Sequence, residues 1–493
     1  MIGTVHCSPP RRRVSAALAA LTVATLVAGC TSGGGRAGGI SGGGGAEGGP
    51  SDGEVGRAQP WEQRPVVGLQ FDVAADLASV TGRETVLFTP DAPVCELVFR
   101  MWDNKPTAAQ DGTSMELGEV TVDGRPVVAD VVPAGAPDGV PGTLAEVPLP
   151  ACVDAGTQVR AELGFSVELG EDSGERVGHA PDEELAWFAT AFPLLAWVRG
   201  EGWARDPAVD MYGETVTSED FRLDALEVTA PREYAVLGSG SPAGTEAGSS
   251  PGTTTHRFTA EALRDVSVSV GRFVVQERRV GDVALRVGTP ESGSRVDGEE
   301  WTDELAYALR ELEELFGPYP YPDLWASVLP PLADGVEFPS ALQFGDVRRS
   351  TVSALVAHEL AHMWFYSLVG NNQARDPWID ESFATYGQVL VTGREDAYRL
   401  DDVGRRVRGE LGQPMEYWAE AGGFGRYVRG TYDQGAAVLL EARDRAGAER
   451  FDAAVRDYLA TRAHQVVDPS EVRASFESVP ELIDLLGDAG AFG

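Results

Sequence analysis

His358-Glu359-Leu360-Ala361-His362 is an HExxH segment, and it dictates more local structure than any other stretch of the chain. On a helix with 3.6 residues per turn, positions four apart lie about 40° from each other and one turn apart, so both imidazoles can face one ion. Glu359 then stands beside that ion. Only six histidines occur in 493 residues, and two of them sit in this frame. A catalytic zinc takes three protein ligands and keeps one open position, so a third donor is needed. Glu381, in Trp378-Ile379-Asp380-Glu381-Ser382, is the candidate. Eighteen residues separate it from His362, enough for a helix to end, a loop to turn and a second helix to return a carboxylate. Gly370-Asn371-Asn372 and Asp376-Pro377 carry the loop chemistry. The expectation is a His2Glu site for one zinc per chain, although such N/O donor sets also accept manganese or cobalt.

The hydrophobic period divides the chain around this motif. From about 61 to 285 it is strand-like: Gly68 to Val73, Thr85 to Phe88 and Arg222 to Val228 alternate, and turns such as Val122-Asp123-Gly124-Arg125-Pro126 punctuate them. Gly238 to Thr255, rich in Gly, Ser, Thr and Pro, reads as a long hairpin loop. Near 298 the period becomes helical. Trp301, Leu305, Ala308, Leu309, Leu312 and Phe316 share one face after a capping box from Asp297 to Glu300, and Gly317-Pro318 stops the helix. Further helices are expected over 350–367, 381–396 and 432–446. The fold class is therefore α+β, with a sandwich-like β domain over 61–270 and a mainly helical domain over 271–493.

Composition narrows the partners. The chain is 43% hydrophobic and 24% charged, the balance of a folded globular protein. Forty basic residues against 76 acidic ones leave a net charge of −36, which repels nucleic-acid phosphates and excludes nucleic acid as a partner. The first residues read as a processing signal over 1–29. Arg11 to Arg13 precede an apolar stretch, Val14 to Gly29, that is shorter than the roughly 20 residues of a bilayer span. It ends in Leu26-Val27-Ala28-Gly29-Cys30, which resembles the lipobox of bacterial lipoproteins. There the cysteine is lipidated, so Cys30 would anchor the protein to the extracytoplasmic face of the cell membrane. An ordinary signal peptide with an incidental cysteine is the plainer reading. Residues 30–60 are Gly-rich and form a tether. Cys95 and Cys152 then remain, either as one disulfide of an exported protein or as two separately buried thiols.

HExxH with a glutamate after eighteen residues is similar to the aminopeptidase N and leukotriene hydrolase family of zinc peptidases. Asp334-Gly335-Val336-Glu337-Phe338-Pro339 resembles that family's Gly-x-Met-Glu-Asn strand, with Asp334 and Val336 replacing Gly and Met. Tyr432-Asp433-Gln434-Gly435 resembles its Tyr-x-Lys-Gly motif, with Gln434 in the lysine position, and Tyr427 stands five residues earlier. Fainter matches run through Gly82 to Val86 and Gly317 to Pro322. The resemblance implies a β-sheet domain followed by a thermolysin-like zinc domain, with metal ligands His358, His362 and Glu381. Glu359 is then the general base, Tyr432 the hydrogen-bond donor to the tetrahedral oxyanion, and Glu337 the anchor for the substrate's α-ammonium. Peptides are the implied substrates and removal of N-terminal residues the implied reaction.

Two departures from the family bear on specificity. Phe188 to Pro193 resembles the segment that supplies the family's second amine-binding acid or amide, and it holds neither. The chain also ends about 60 residues after Tyr432, without the large helical domain of many relatives, which implies a more open cleft. An endopeptidase or other open-cleft zinc hydrolase, and a non-catalytic peptide-binding lipoprotein, are the competing expectations. His179, His256 and His464 match no ligand spacing and read as loop or surface residues.

Overall fold

Strand Val159–Glu168 shows how the first half is built: Val159, Ala161, Leu163, Phe165 and Val167 point inward and alternate with more exposed residues. It belongs to an eight-stranded sheet in the computed structural model, which describes residues 56–213 and 217–493. The signal segment, Cys30 and most of the tether lie outside those residues. Across the sheet the strands are Ser241–Ala247, Thr253–Leu263, Phe221–Pro231, Val66–Val73, Ser79–Phe88, Val159–Glu168, Ser114–Val122 and Arg125–Val127. Only Val66–Val73 and Phe221–Pro231 pair in parallel.

Two four-stranded sheets and the two-stranded pair Trp197–Val198 with Gly202–Trp203 complete this half. One contains Leu185–Ala189, buried along its whole length. Phe71 and Phe165 of the large sheet meet edge to face at 5.8 Å, and Phe188 of the small sheet closes on Phe71 at 5.2 Å. Gly82 is opposite Phe165, and a Cβ there would lie 2.1 Å from the ring, so only glycine lets the phenyl cover the strand. In the other small sheet Cys95 and Cys152, on paired strands Val94–Arg100 and Leu144–Val153, form a disulfide.

Sheet membership changes after Gly271. Phe273–Val280, Val283–Pro290, Asp323–Leu329, Ala341–Gly345 and Gly335–Phe338 form a mixed five-stranded sheet with Gly335–Phe338 on its edge. Helix Gly298–Phe316 crosses over between two parallel strands and buries Trp301, Leu305, Leu309 and Leu312 against them. Of the expected capping box, Asp297 accepting from the Glu300 N–H at 2.9 Å is present. Helices Arg349–Ala361, Trp378–Thr392, Gln434–Ala446, Ala448–Arg462 and Pro480–Asp488 follow. Among the described residues, no helix is long and apolar enough to cross a membrane.

Four expectations need correction. The HExxH helix ends at Ala361 rather than at 367, because beyond His362 the aromatic run Trp364-Phe365-Tyr366 is buried in a turn, with Tyr366 at φ 106°. The second helix spans Trp378–Thr392, stopped by Gly393 in the left-handed region. Gly238 to Thr255 is mostly strand: Ser241–Ala247 pairs with Thr253–Leu263 around a short turn, since backbone pairing does not need apolar side chains on an exposed edge. His179 lies buried on strand Val177–Ala180 with Nδ1 3.0 Å from the Leu169 carbonyl, and His256 is half-buried on a strand.

Candidate metal and catalytic site

Helices Arg349–Ala361 and Trp378–Thr392 pack side by side, and their facing residues include His358 and Glu381. His358 Nε2 lies 3.3 Å from Glu381 Oε2, His362 Nε2 lies 3.4 Å from the same oxygen, and the two Nε2 atoms are 3.3 Å apart. A tetrahedral ion with bonds of about 2.0–2.1 Å needs donor atoms about 3.3–3.4 Å apart, so the three residues fit zinc. All three are buried. The Nδ1 of His362 faces the Phe365 carbonyl at 3.1 Å, the outer hydrogen bond that fixes a ligating imidazole's tautomer and ring orientation.

Around this triangle lie the other residues singled out from the sequence. Glu359 is buried on the same helix, and the strand Gly335–Phe338 runs close over it. A Cβ at Gly335 would lie 2.5 Å from Glu359 Cγ, so a larger residue in the motif's second position would displace the Glu359 side chain. Glu337, on that strand, is buried with Oε1 unpartnered. Oxygens of Glu337 and Glu359 and a nitrogen of His362 all lie within 4.8 Å of one another. A buried carboxylate with a free oxygen at the edge of a metal-ligand cluster can accept a cationic group from outside the chain.

Tyr432 closes the other side. Its hydroxyl donates to Glu381 Oε1 at 2.5 Å and its ring stacks on that of His358. It sits in a π-helical segment, Val428–Asp433, just ahead of helix Gln434–Ala446. Ser382 Oγ donates to the Thr431 carbonyl at 2.9 Å, and a Cβ at Gly435 would lie 1.8 Å from that oxygen. The glycine of Tyr-Asp-Gln-Gly therefore lets the two helices close enough for Tyr432 to reach Glu381. Gln434 turns away, accepting from the Gly409 N–H and donating to the Gly430 carbonyl. Tyr427 packs edge to face on Tyr432 at 5.4 Å.

The electrostatics are those of a cation site. Burial raises Glu359 well above the carboxylate range, and the charges of Glu337, Glu381 and Asp334 push the same way. Burial pulls His362 down, yet Glu337 and Glu381 raise it well above the imidazole range. Glu381 goes against its own burial: hydrogen bonds from His358 and His362 hold it at about 2. Burial and the neighbouring Glu381 push Asp380, beside the ligand, up to about 8.

Several residues of the site carry no sequence signal. The segment Phe188 to Pro193 contributes Thr190, buried at φ 56°, whose hydroxyl donates to Asp265 Oδ2 at 2.6 Å and accepts from Arg176 Nη1 at 3.1 Å. The Arg176 guanidinium lies over the rings of Trp102 and Phe338, the neighbour of Glu337. The Tyr366 hydroxyl is 3.4 Å from the same Asp265 oxygen. These residues come from four separate strands and turns, so no local spacing in the chain joins them.

Residues 342–415 match the peptidase family M1 domain. Aminopeptidase M1-D of Oryza sativa subsp. japonica is 26% identical over 216 residues, 38% of this chain and 24% of that protein. Endoplasmic reticulum aminopeptidase 1 of Homo sapiens is 26% identical over 253 residues, 44% of this chain and 26% of that protein. The matched segments thus span about a quarter of these relatives. The M1 zinc metallopeptidase from Deinococcus radiodurans superposes with a TM-score of 0.64 at 18% identity, over 87% of this chain and 94% of that one. A mutant of the Deinococcus enzyme bound to a Tyr-Ser-Ala substrate superposes equally well, over 90% of this chain and 98% of that one. The chain thus carries a match to the peptidase family M1 domain over residues 342–415 and shares the two-part fold of the Deinococcus structures.

Proposed function

We propose that this protein is a zinc-dependent aminopeptidase that removes N-terminal residues from peptides. The reading rests on one observation above the others: three buried donor atoms, 3.3–3.4 Å apart, with Glu359 and the unpartnered Glu337 on one side and Tyr432 on the other. The zinc metallopeptidase that shares the fold is seen with a tripeptide substrate, which supports peptides as the substrate class.

His358, His362 and Glu381 would hold the zinc, which would polarise the scissile carbonyl and lower the pKa of its bound water towards 7. Glu359, next to the ligands but outside their triangle, takes the proton of the attacking water and passes it to the leaving amine. Tyr432 shares its hydroxyl proton with the oxyanion that forms on the former carbonyl oxygen. Glu337 accepts the substrate's α-ammonium, which places the first peptide bond, and no later one, over the metal site. Carboxylates outnumber imidazoles around the pocket, so a dication and an ammonium together balance its charge.

The proposal includes placement. The lipobox-like Leu26 to Cys30 and the Gly-rich run that follows support a lipid-anchored protein on the extracytoplasmic face of the membrane. Cys30→Ser would then move the protein from the membrane fraction to the soluble one. Metal analysis tests the catalytic core: the purified protein binds one equivalent of zinc, and His358→Ala with His362→Ala abolishes both binding and peptide hydrolysis. Hydrolysis that survives loss of the ligands would overturn it.

A further inference from the structure

Arg264, almost fully buried, lies between strands Thr253–Leu263 and Ser267–Gly271 of the β-rich half. Its guanidinium makes three separate attachments. Nη2 pairs with Asp220 Oδ1 at 2.8 Å, Nη1 donates to the Ser218 carbonyl at 2.8 Å, and Nε donates to the Ser367 carbonyl at 3.2 Å. The other Asp220 oxygen accepts from His464 Nδ1 at 2.5 Å. His464, at φ 65°, donates its own N–H to the Leu368 carbonyl at 2.7 Å, and the Gly370 N–H donates to the Gln465 carbonyl at 2.8 Å. Residues 367–370 are therefore clamped from two sides, by the β-rich half and by the turn after helix Ala448–Arg462.

What is clamped is the turn that leaves the HExxH helix. His362 is the helix's last cap, and its carbonyl accepts from the Ser367 N–H at 2.9 Å. Its Nδ1 faces the Phe365 carbonyl, two residues before Ser367, at 3.1 Å. A shift of Ser367 therefore carries with it the carbonyl that sets the roll of the His362 ring. Gly370 fits the same picture, because a Cβ there would lie 2.3 Å from Arg264 Nη1. A buried Arg–Asp pair is a poor source of stability, since apolar replacements often do as well. A planar guanidinium that donates to two carbonyls and pairs with a carboxylate is well suited to holding geometry.

We infer that Arg264, braced by Asp220 and His464, is a positioning residue that holds the turn orienting the metal ligand His362. The β-rich half thereby sets the geometry of a metal site whose ligands all belong to the other half. The inference rests on the proposed reading of His358, His362 and Glu381 as zinc ligands.

The test compares full-length Arg264→Met, Gly370→Ala and His464→Gln with the parent chain, with Arg286→Met as a control for disturbing a partly buried ion pair elsewhere. Zinc affinity is measured by chelator competition, alongside thermal unfolding of the zinc-free proteins and kcat and KM on a short peptide. Loss of an outer-shell partner costs roughly 10–100-fold in metal affinity or activity. Arg264→Met should weaken zinc binding by that factor and lower kcat while KM holds. Gly370→Ala, which crowds the guanidinium without changing its charge, should move zinc affinity in the same direction, and Arg286→Met should not. Folded Arg264→Met and Gly370→Ala proteins with parental zinc affinity would overturn the inference. Should Arg264→Met fail to fold, Gly370→Ala and His464→Gln decide by the same criterion. A parent chain that binds no zinc overturns the metal reading itself, whereas a zinc-binding parent with indifferent variants overturns only the positioning role.

Discussion

The ring of Tyr432 lies flat on that of His358, 9° from parallel with centroids 5.4 Å apart, while its hydroxyl reaches the other helix to Glu381. One aromatic side chain thus touches two of the three proposed metal ligands. Tyr432→Phe keeps the stacking and removes only the hydroxyl. Zinc content should be unchanged, and kcat and kcat/KM should fall together by about 10²–10³-fold, the cost of losing an oxyanion donor. Steady-state kinetics with metal analysis on the same preparation check this.

Glu337 should act on selectivity. Its unpartnered buried oxygen awaits a cation, so Glu337→Gln removes one member of a buried charge pair, a loss of about 2 kcal/mol or more. For a free-amine peptide kcat/KM should then drop at least about 30-fold. For the N-acetylated peptide, already poor, it should hardly change. Competition assays on the two peptides measure the ratio directly.

Most of the metal site was legible in the chain because helix geometry makes it local. Four residues on one helix and eighteen to the next leave few ways to arrange His358, His362 and Glu381. Tyr432 and Glu337 depended on motif resemblance, and their contacts confirm only where they sit. What escaped reading was tertiary. The helix ends at Ala361 and Trp364, Phe365 and Tyr366 are then buried in a turn, which no helical period reveals. The π-helical turn under Tyr432 and the Thr190–Asp265–Tyr366 chain depend on partners that are distant in sequence. In the β half, alternation marked Val66–Val73 and Ser79–Phe88, but the polar edge hairpin Ser241–Ala247 had no apolar face to betray it.

Glu84 predicts a pH dependence of stability. It is fully buried on strand Ser79–Phe88, beside a small cavity lined by Phe192, Trp197 and Glu219, and neither carboxylate oxygen has a partner. Burial raises its pKa well above the usual value. The folded state therefore holds the proton more tightly than the unfolded one, and stability falls as pH rises from about 4.3 towards the folded pKa. Glu84→Gln removes this titration. The variant's melting temperature relative to the parent should climb between pH 5 and pH 8, and a pH-independent difference would contradict the reading.

Lys105 is the single lysine of the chain and is fully buried. Its ammonium donates to the carbonyls of Met211 and Gly213, lies 3.7 Å from Glu175 and sits over the Trp102 ring. A lysine-reactive reagent should leave it unmodified in the native protein and label it only on unfolding, a clean probe for denaturation. Lys105→Met strands a buried carboxylate and two carbonyls, so the unfolding free energy should drop by about 3 kcal/mol.

The most direct measurement incubates the zinc-loaded protein with one peptide in free and N-acetylated forms, reads the products by mass spectrometry, and uses Glu359→Gln as the blank. Stepwise loss of residues from the free peptide alone, absent with Glu359→Gln, is the predicted result. Cleavage of both forms, or internal cuts, would contradict N-terminal anchoring by Glu337 and point to an open-cleft endopeptidase. No cleavage of either form by a protein that holds zinc would contradict the aminopeptidase assignment altogether.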